Sequence, residues 1–231
     1  MNTLDRLVRR VAAQYEDDLA PAIPRVWEDE IRAIHADLRI WLRRMAEESA
    51  TWTPLAVELA FGIPDAPDAD PKLRDPIDIE GGWKLRGVID LIERKSDGTA
   101  LRVTDHKTGA NHTTDGCTVG GGEVLQPVLH ALAVEKAFAL PVEESRLDFC
   151  TSKGGFTERR IRIWDWARLQ AGQALETIGK ALESGALPPA PRQDACSTCD
   201  FRPVCGSNEE RRWARKPARL TDALRELREL P

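Results

Sequence analysis

The stretch GVIDLIERKSDGTALRVTDHKTG, residues 87–109, decides the fold of this chain. Apolar residues alternate from Leu101 onward, which places Asp105 and Lys107 on one face of a strand. The strand before it carries Asp90 near its end, and the Asp-Gly pair between the two strands predicts a tight turn. The stretch therefore predicts a β-hairpin with one acid on each strand and a lysine close to the second acid.

The residue types at this end of the hairpin suit phosphodiester hydrolysis. That reaction requires a nucleophilic water and stabilisation of charge on the phosphoryl oxygens, and a divalent metal supplies both. Mg²⁺ prefers carboxylate oxygens and retains waters, so Asp90 and Asp105 are the predicted ligands, with the His106 carbonyl as a further donor. Lys107 would orient the attacking water or stabilise the pentavalent phosphorus. A salt bridge between Asp105 and Lys107 is the alternative explanation.

The spacing of these residues resembles that of a known family. Gly-x-x-Asp followed by Asp-x-Lys-Thr-Gly resembles the nuclease domain of RecB/AddB-type helicase-nucleases, which belong to the PD-(D/E)XK superfamily. The segment QPVLHA from Gln126 resembles the glutamine-headed helix that follows the Asp-x-Lys strand, with His130 where tyrosine is commoner. The resemblance extends over roughly residues 25–206. It implies a restriction-endonuclease-like α/β fold, in which helices flank a mixed central sheet.

The resemblance also implies further site residues. Gln126 would point toward the metal site and bind a phosphate or a water, although an exposed residue near a helix start is the alternative. An acid or a histidine upstream of the hairpin would complete the site. Glu58, on the small-residue face of a predicted strand, fits as a third ligand or water-holding acid, or else is an exposed edge glutamate.

His35 is the other upstream candidate for a metal ligand. It falls on the inward side of a predicted helix that runs from about Val26 to Glu48. RecB-type nucleases carry a metal-binding histidine on such a helix, but the glycine-led motif that usually surrounds it is missing here. A core histidine without a catalytic role is therefore the alternative.

Cys196, Cys199 and Cys205 form a second group, with the spacing C-x2-C-x5-C. Clustered cysteines in a chain without a secretory signal favour metal or cluster ligation over disulfides. The spacing resembles three corners of the 4Fe–4S cluster in iron–sulfur members of the family, whose fourth cysteine lies far upstream. No cysteine precedes Cys117 here, so the fourth ligand lies outside this sequence, or is Cys117 or Cys150, or the three are thiols or bind Zn²⁺. In each case the expected role is structural.

Composition indicates an ordinary soluble protein. Hydrophobic residues make up 42% and charged residues 31% of the chain, and no apolar run is long enough to cross a membrane. A cytoplasmic location is therefore the default expectation, since a signal-peptide pattern is also missing. The net charge of −5 does not indicate a nucleic-acid binder, but such binding depends on local patches. The candidate phosphate contacts, which are equally well explained as solvated basic faces, are Arg159, Arg160, Arg211 and Arg212.

Three segments organise the chain. Residues 1–24 are a predicted helical extension, residues 25–190 are the predicted nuclease core, and residues 191–231 are a cysteine-cluster segment with basic C-terminal helices. Late in the core, a strand pair is expected over residues 147–150 and 156–164, followed by a helix. The order of helix, strands, helix, strands and helix favours an α/β sandwich around a mixed sheet.

The leading hypothesis is a metal-dependent DNA nuclease that uses Mg²⁺ or Mn²⁺. The resemblance further implies an exonuclease that acts on single-stranded DNA ends in double-strand-break repair, beside a helicase subunit or joined to a helicase domain. The alternatives are a catalytically silent nuclease-fold module that binds DNA or a partner, a nuclease of the CRISPR-adaptation type, and a zinc-stapled interaction domain. The intact set of Asp90, Asp105 and Lys107 argues against the silent module.

Overall fold

The chain folds around a five-stranded mixed sheet. The computed structural model describes residues 3–66, 70–192, 195–197, 199–218 and 221–231. Its strands are β1 (Trp52–Phe61), β2 (Ile77–Asp78), β3 (Lys84–Leu85), β4 (Gly87–Lys95), β5 (Leu101–Lys107), β6 (Val142–Phe149) and β7 (Glu158–Arg162). The order across the sheet is β1-β4-β5-β6-β7, in which β5 and β6 run parallel and the other neighbours antiparallel. The predicted mixed sheet flanked by helices is confirmed.

Helices cover both faces of the sheet. In the described residues they are α1 (Thr3–Leu19), α2 (Pro24–Glu48), α3 (Gln126–Phe138), α4 (Asp165–Ser184), α5 (Arg202–Cys205), α6 (Glu209–Trp213) and α7 (Asp222–Arg228). The main core lies between the sheet and α3 and α4, with Val103, Val128 and Ala171 among its buried side chains. None of these helices is both long enough and apolar enough to cross a membrane.

The central strand β5 separates the two sides of the molecule. Leu101 and Val103 belong to the apolar core beneath α3, whereas Arg102 and His106 contact α2 on the opposite side. This alternation follows from the two-residue period of a strand. Both faces of β5 are therefore covered, as is usual for a strand in a parallel pair.

Strand β6 begins at Val142, five residues before the predicted start at Leu147. Residues 143–146 of the strand include several charged side chains, a composition that does not predict a buried strand. The side chain of Arg146 is nevertheless only 2% exposed. Its guanidinium is buried because it contacts Glu48 at 2.9 Å and Glu93 at 3.5 Å. Hydrophobic periodicity underestimates the strand because ion pairs replace apolar contacts on this face.

A buried charge network joins the end of α2 to the centre of the sheet. Arg102 is fully buried and donates hydrogen bonds to both oxygens of Glu93, at 2.7 and 2.9 Å. It also contacts Glu48 of α2 at 2.8 Å and lies 4.8 Å from the ring centroid of Trp52. Partial burial raises the pKa of Glu48, but hydrogen bonds from Arg102 and Arg160 outweigh this effect and lower the pKa to about 2.

We expect the acid stability of the protein to depend on Glu48. Because the pKa of Glu48 falls from 4.5 to about 2 on folding, its ionised form stabilises the fold fully above about pH 4.5. This contribution is lost as the pH falls through about 2. The gap in unfolding free energy between the wild type and Glu48→Gln, measured by urea denaturation, should therefore be constant near neutral pH and shrink in acid. The exposed neighbour Glu47, changed to Gln, is the matched control, and a Glu48→Gln gap that does not vary with pH would contradict the prediction.

Candidate active site

The candidate site lies where β4 and β5 separate, a place that we call the fork. These strands pair from Arg94 with Leu101 to Leu91 with Thr104. Beyond that point the start of β4 continues to pair with β1, and the end of β5 continues to pair with β6. Asp90 and Asp105 are the first residues past the last β4–β5 pair, so the fork brings one acid from each strand to the same place.

The two acids of the fork have different partners. Asp90 accepts a hydrogen bond at Oδ2 from the backbone N–H of His106, at 2.6 Å. Asp105, which is 5% exposed, accepts a hydrogen bond at Oδ1 from Gln126 Nε2, at 3.0 Å. Its Oδ2 forms an ion pair with Lys107, and Lys107 Nζ in turn donates to Gln126 Oε1 at 3.2 Å. Asp105, Lys107 and Gln126 therefore each contact the other two. The salt bridge between Asp105 and Lys107, considered above as an alternative to a metal-binding role, is one of these three contacts.

The helix α3 supplies a second side chain to this region. His130 lies four residues after Gln126 and therefore on the same side of the helix. Burial lowers the pKa of His130, with the nearby charges of Asp105 and Asp90 opposing the shift. Its ring meets Phe61 edge-on, with 6.3 Å between the centroids. A partly buried imidazole with a lowered pKa thus lies next to Gln126 on the side of α3 that faces the fork.

The two upstream candidates lie in different places. Glu58 lies on β1 between the pairs Val57–Leu91 and Leu59–Ile89, which places it opposite Asp90 of the neighbouring strand β4. Its side chain is exposed and its φ is 48°, an unusual value for a residue other than glycine. His35 Nε2, by contrast, lies 2.8 Å from an oxygen of Asp5, so it joins α2 to α1.

The fork offers donors that suit a hard divalent cation. Asp90 Oδ1 has no hydrogen-bond partner among the described residues, and the Asp90 side chain is 27% exposed. Within the described ranges, no three His, Cys, Asp or Glu side chains lie close enough together to hold a metal ion. Two carboxylates remain sufficient for Mg²⁺, because that ion usually retains several waters. The chemistry of the donors therefore fits Mg²⁺ or Mn²⁺.

The comparison with known families agrees with this geometry. The sequence profile described as the PD-(D/E)XK nuclease superfamily matches residues 1–206. The chain belongs to this superfamily. The match includes α1 and extends through the fork, α3 and the cysteine segment, so it begins before residue 25, where the resemblance in the sequence begins. No curated protein matched the chain.

In this PD-(D/E)XK protein, the loop between β5 and α3 is anchored at two points. Arg159 of β7 donates to Thr113 Oγ1 at 3.0 Å and contacts Asp115 at 2.9 Å. Farther along, the N–H groups of Val119 and Gly120 donate to the carbonyl of Pro231, at 2.6 and 3.1 Å. The loop leads directly into Gln126, so both anchors support the position of that side chain.

Gly121 shows how closely the C-terminal residues approach this loop. Its φ is 64°, and its N–H donates to the carbonyl of Leu230 at 2.8 Å. A Cβ atom on Gly121 would lie only 3.0 Å from the backbone of Arg228. The position therefore requires glycine for both its conformation and its contact.

Two of the other three basic candidates, Arg160 and Arg212, also contact the rest of the protein. Arg160 contacts Glu48 and Glu158, each at 2.7 Å, and belongs to the buried charge network at its exposed edge. Arg212 contacts Glu209 and the carbonyl of Cys205, whereas Arg211 is exposed. Of the four candidate arginines, Arg211 is the one whose side chain has no ion-pair or hydrogen-bond partner among the described residues.

The three clustered cysteines of this PD-(D/E)XK protein share one cavity. Cys196, Cys199 and Cys205 line a cavity of about 290 Å³ together with Pro189, Glu209 and five other residues. Cys117 and Cys150 do not line it, and burial raises the pKa of both of those thiols. Cys150 instead lies at the fork, with its sulfur 3.7 Å from the carbonyl of Lys107. Thiolates are ligands of soft metals and clusters. In the described residues, however, the three cysteines line one cavity without lying close enough together to hold a metal ion.

The sequence alone gives no indication that Asp148 lies close to the site. Asp148 of β6 is 5% exposed and pairs in register with His106. Burial raises the pKa of Asp148, with Arg146 and His106 opposing the shift. The parallel register of β5 and β6 places Asp148 beside His106, and this register cannot be read from the sequence.

Proposed function

We propose that this protein is a metal-dependent DNA nuclease whose reaction takes place at the fork. The observation that carries the proposal is the meeting of Asp90 and Asp105 at the divergence of β4 and β5, with Lys107 and Gln126 in contact with Asp105. Acids on two diverging strands, a lysine and an amide are the groups needed to bind a divalent cation and a phosphodiester together.

Each residue has a defined role in this proposal. Asp90 and Asp105 would hold Mg²⁺ or Mn²⁺, with Glu58 or His35 as candidates for a further ligand. The metal, when bound, would activate water and stabilise charge on the phosphoryl oxygens. Lys107 carries its positive charge to the fork and donates to a phosphate oxygen or to the attacking water. Gln126 fixes both partners, because its amide nitrogen donates to Asp105 and its oxygen accepts from Lys107.

A finer proposal concerns the biological setting. The order of the hairpin, the Gln126 helix and the cysteine triad supports a RecB/AddB-type exonuclease that degrades single-stranded DNA ends in double-strand-break repair. A helicase subunit or a linked helicase domain would deliver those ends. Arg211, with Arg212, Arg159 and Arg160, would contribute to DNA binding. The cytoplasm remains the expected location.

The decisive experiment compares metals and DNA forms. Purified protein should degrade end-labelled single-stranded DNA when Mg²⁺ or Mn²⁺ is supplied, and a chelator should stop the reaction, since the fork needs a cation to activate water. Single- and double-stranded DNA that both stay intact in Mn²⁺ would contradict the proposal. Binding of DNA without cleavage would then favour a silent nuclease-fold module.

We also propose that Cys196, Cys199 and Cys205 bind a 4Fe–4S cluster or Zn²⁺ that stabilises the C-terminal segment. Their common cavity supports this assignment. Protein purified without oxygen should contain stoichiometric iron or zinc, measured by mass spectrometry, and Cys199→Ser should lose it. Cys150→Ser, whose thiol lies outside the cavity, is the matched control. Full metal retention in Cys199→Ser would contradict the assignment, and zinc without iron would exclude the cluster.

A further inference from the structure

We propose that His106 is a positioning residue whose imidazole, held between Asp90 and Asp148, fixes the Asp90 carboxylate for the cation. The inference rests on the proposed function, because that function assigns Asp90 to the metal. It adds a role for the side chain between the two motif residues Asp105 and Lys107. It also adds Asp148, whose carboxylate faces the other side of the ring at 3.9 Å.

The geometry places His106 between two acids. Its backbone N–H donates to Asp90 Oδ2 at 2.6 Å, and its ring atom Nδ1 lies 3.9 Å from the same oxygen. On the other side of the ring, Nε2 lies 3.9 Å from Asp148 Oδ2. His106 is therefore in line between Asp90 and Asp148, and it approaches Asp90 with both its backbone and its side chain.

The ring is also held by packing. Trp41 of α2 meets it edge-on, with 5.3 Å between the centroids and 84° between the planes. Asp105 and Lys107 contact Gln126 of α3, so the three consecutive residues of the motif reach helices on opposite faces of the sheet. The side chain of His106 can therefore act on Asp90 without blocking access to Asp105 and Lys107.

A purely structural role does not explain a polar ring here. His106 Nε2 is buried and has no hydrogen-bond partner in the described part of the chain. A buried polar atom without a partner lowers stability, a cost that an apolar ring of similar size would avoid. The charged neighbours on both sides of the imidazole account for its presence at this position.

The consequence concerns the second oxygen of Asp90. Because Oδ2 accepts a hydrogen bond from the His106 backbone N–H and faces the ring Nδ1 at 3.9 Å, Oδ1 is the oxygen that Asp90 would present to a cation. Groups that orient a metal-binding carboxylate typically change metal affinity or activity by about 10–100-fold when they are removed. His106 and Asp148 would therefore set how tightly the fork binds its cation.

Variants at His106 separate the two contacts of the ring. His106→Asn keeps a nitrogen near the position of Nδ1, facing Asp90, and His106→Gln keeps one near the position of Nε2, facing Asp148. His106→Phe keeps the volume and loses both. The measurements are Mn²⁺ affinity by titration calorimetry, the Mn²⁺ concentration that gives half-maximal DNA cleavage, and the melting temperature. The exposed loop residue His112, changed to Phe, is the matched control.

We expect His106→Phe to weaken Mn²⁺ binding about 10–100-fold without lowering the melting temperature, and His106→Asn to recover most of that loss. Asp148→Asn should weaken Mn²⁺ binding in the same direction. Wild-type Mn²⁺ affinity in His106→Phe would overturn the inference. If that variant fails to fold, equal Mn²⁺ affinities in His106→Asn and His106→Gln would also overturn it.

The nuclease proposal and the positioning proposal can fail separately. Wild-type protein that binds Mn²⁺ but leaves DNA intact would contradict the nuclease activity, and the affinity series would still decide the role of His106. Wild-type protein that cleaves DNA with the same Mn²⁺ requirement as His106→Phe would contradict only the positioning role. Wild-type protein that binds no Mn²⁺ would overturn both.

Discussion

Asp105→Asn should abolish DNA cleavage while the protein remains folded, with a loss of about 10³-fold or more. Asparagine has nearly the same shape and can still accept the hydrogen bond from Gln126 at Oδ1. What it removes is the negative charge that would bind the cation and that now pairs with Lys107. Lys107→Met should cause a comparable loss, because no other described lysine contacts Asp105.

The opposite end of the same hairpin supplies matched controls. Asp97 caps the turn by accepting from the N–H of Thr99 at 2.9 Å, and Lys95 pairs with Glu143 at 2.6 Å. Asp97→Asn and Lys95→Met make the same chemical changes far from the fork and should retain activity. Cleavage of labelled DNA in Mn²⁺, with circular dichroism as the test of folding, makes the comparison. Activity in Asp105→Asn within tenfold of wild type, a margin of about 1.4 kcal/mol, would contradict a catalytic fork.

Arg102→Met should lower the free energy of unfolding by about 3–5 kcal/mol, the largest expected effect on stability. The substitution leaves Glu93, whose side-chain exposure is 2%, as a buried charge without its main partner. Replacing both members of a buried ion pair with apolar residues is often neutral, so Glu93→Leu combined with Arg102→Met should recover most of the loss. Chemical denaturation measures all three proteins.

An exposed ion pair provides the comparison for Arg102. Lys180 contacts Glu176 at 2.6 Å on α4, and both side chains are largely exposed. Lys180→Ala should change stability by less than about 1 kcal/mol, because exposed pairs contribute little. Similar small effects from Lys180→Ala and Arg102→Met would show that the buried network does not stabilise the sheet.

Much of the arrangement at the candidate site could be predicted because its residues lie in locally patterned elements. The alternation around Leu101 and Val103 indicated β5, and the Asp-Gly turn indicated the hairpin. The same alternation placed Asp105 and Lys107 on one face, where the structure joins them to Gln126. The class of fold followed from the order of these elements and is confirmed.

The rest depended on contacts between distant residues. Arg146 was not recognisable as a core residue, because its burial requires Glu48 from a helix and Glu93 from another strand. Likewise, the place of Asp148 behind His106 requires the parallel register of two strands that are separated by α3. Hydrophobic periodicity identifies the face of a strand but not the partner that this face will meet.

At the fork, β4 and β5 pair with different strands, so the motif cannot be expected to work when it is moved to another protein. The hairpin of residues 87–107 contains Asp90, Asp105 and Lys107, yet its strands pair with each other only at the turn end. The end that bears the acids is held by β1 on one side and β6 on the other. A graft of this hairpin onto another protein would transfer the motif residues but not the geometry of the site. The two strands separate because β1 and β6 pair with them, and the graft would not include β1 or β6.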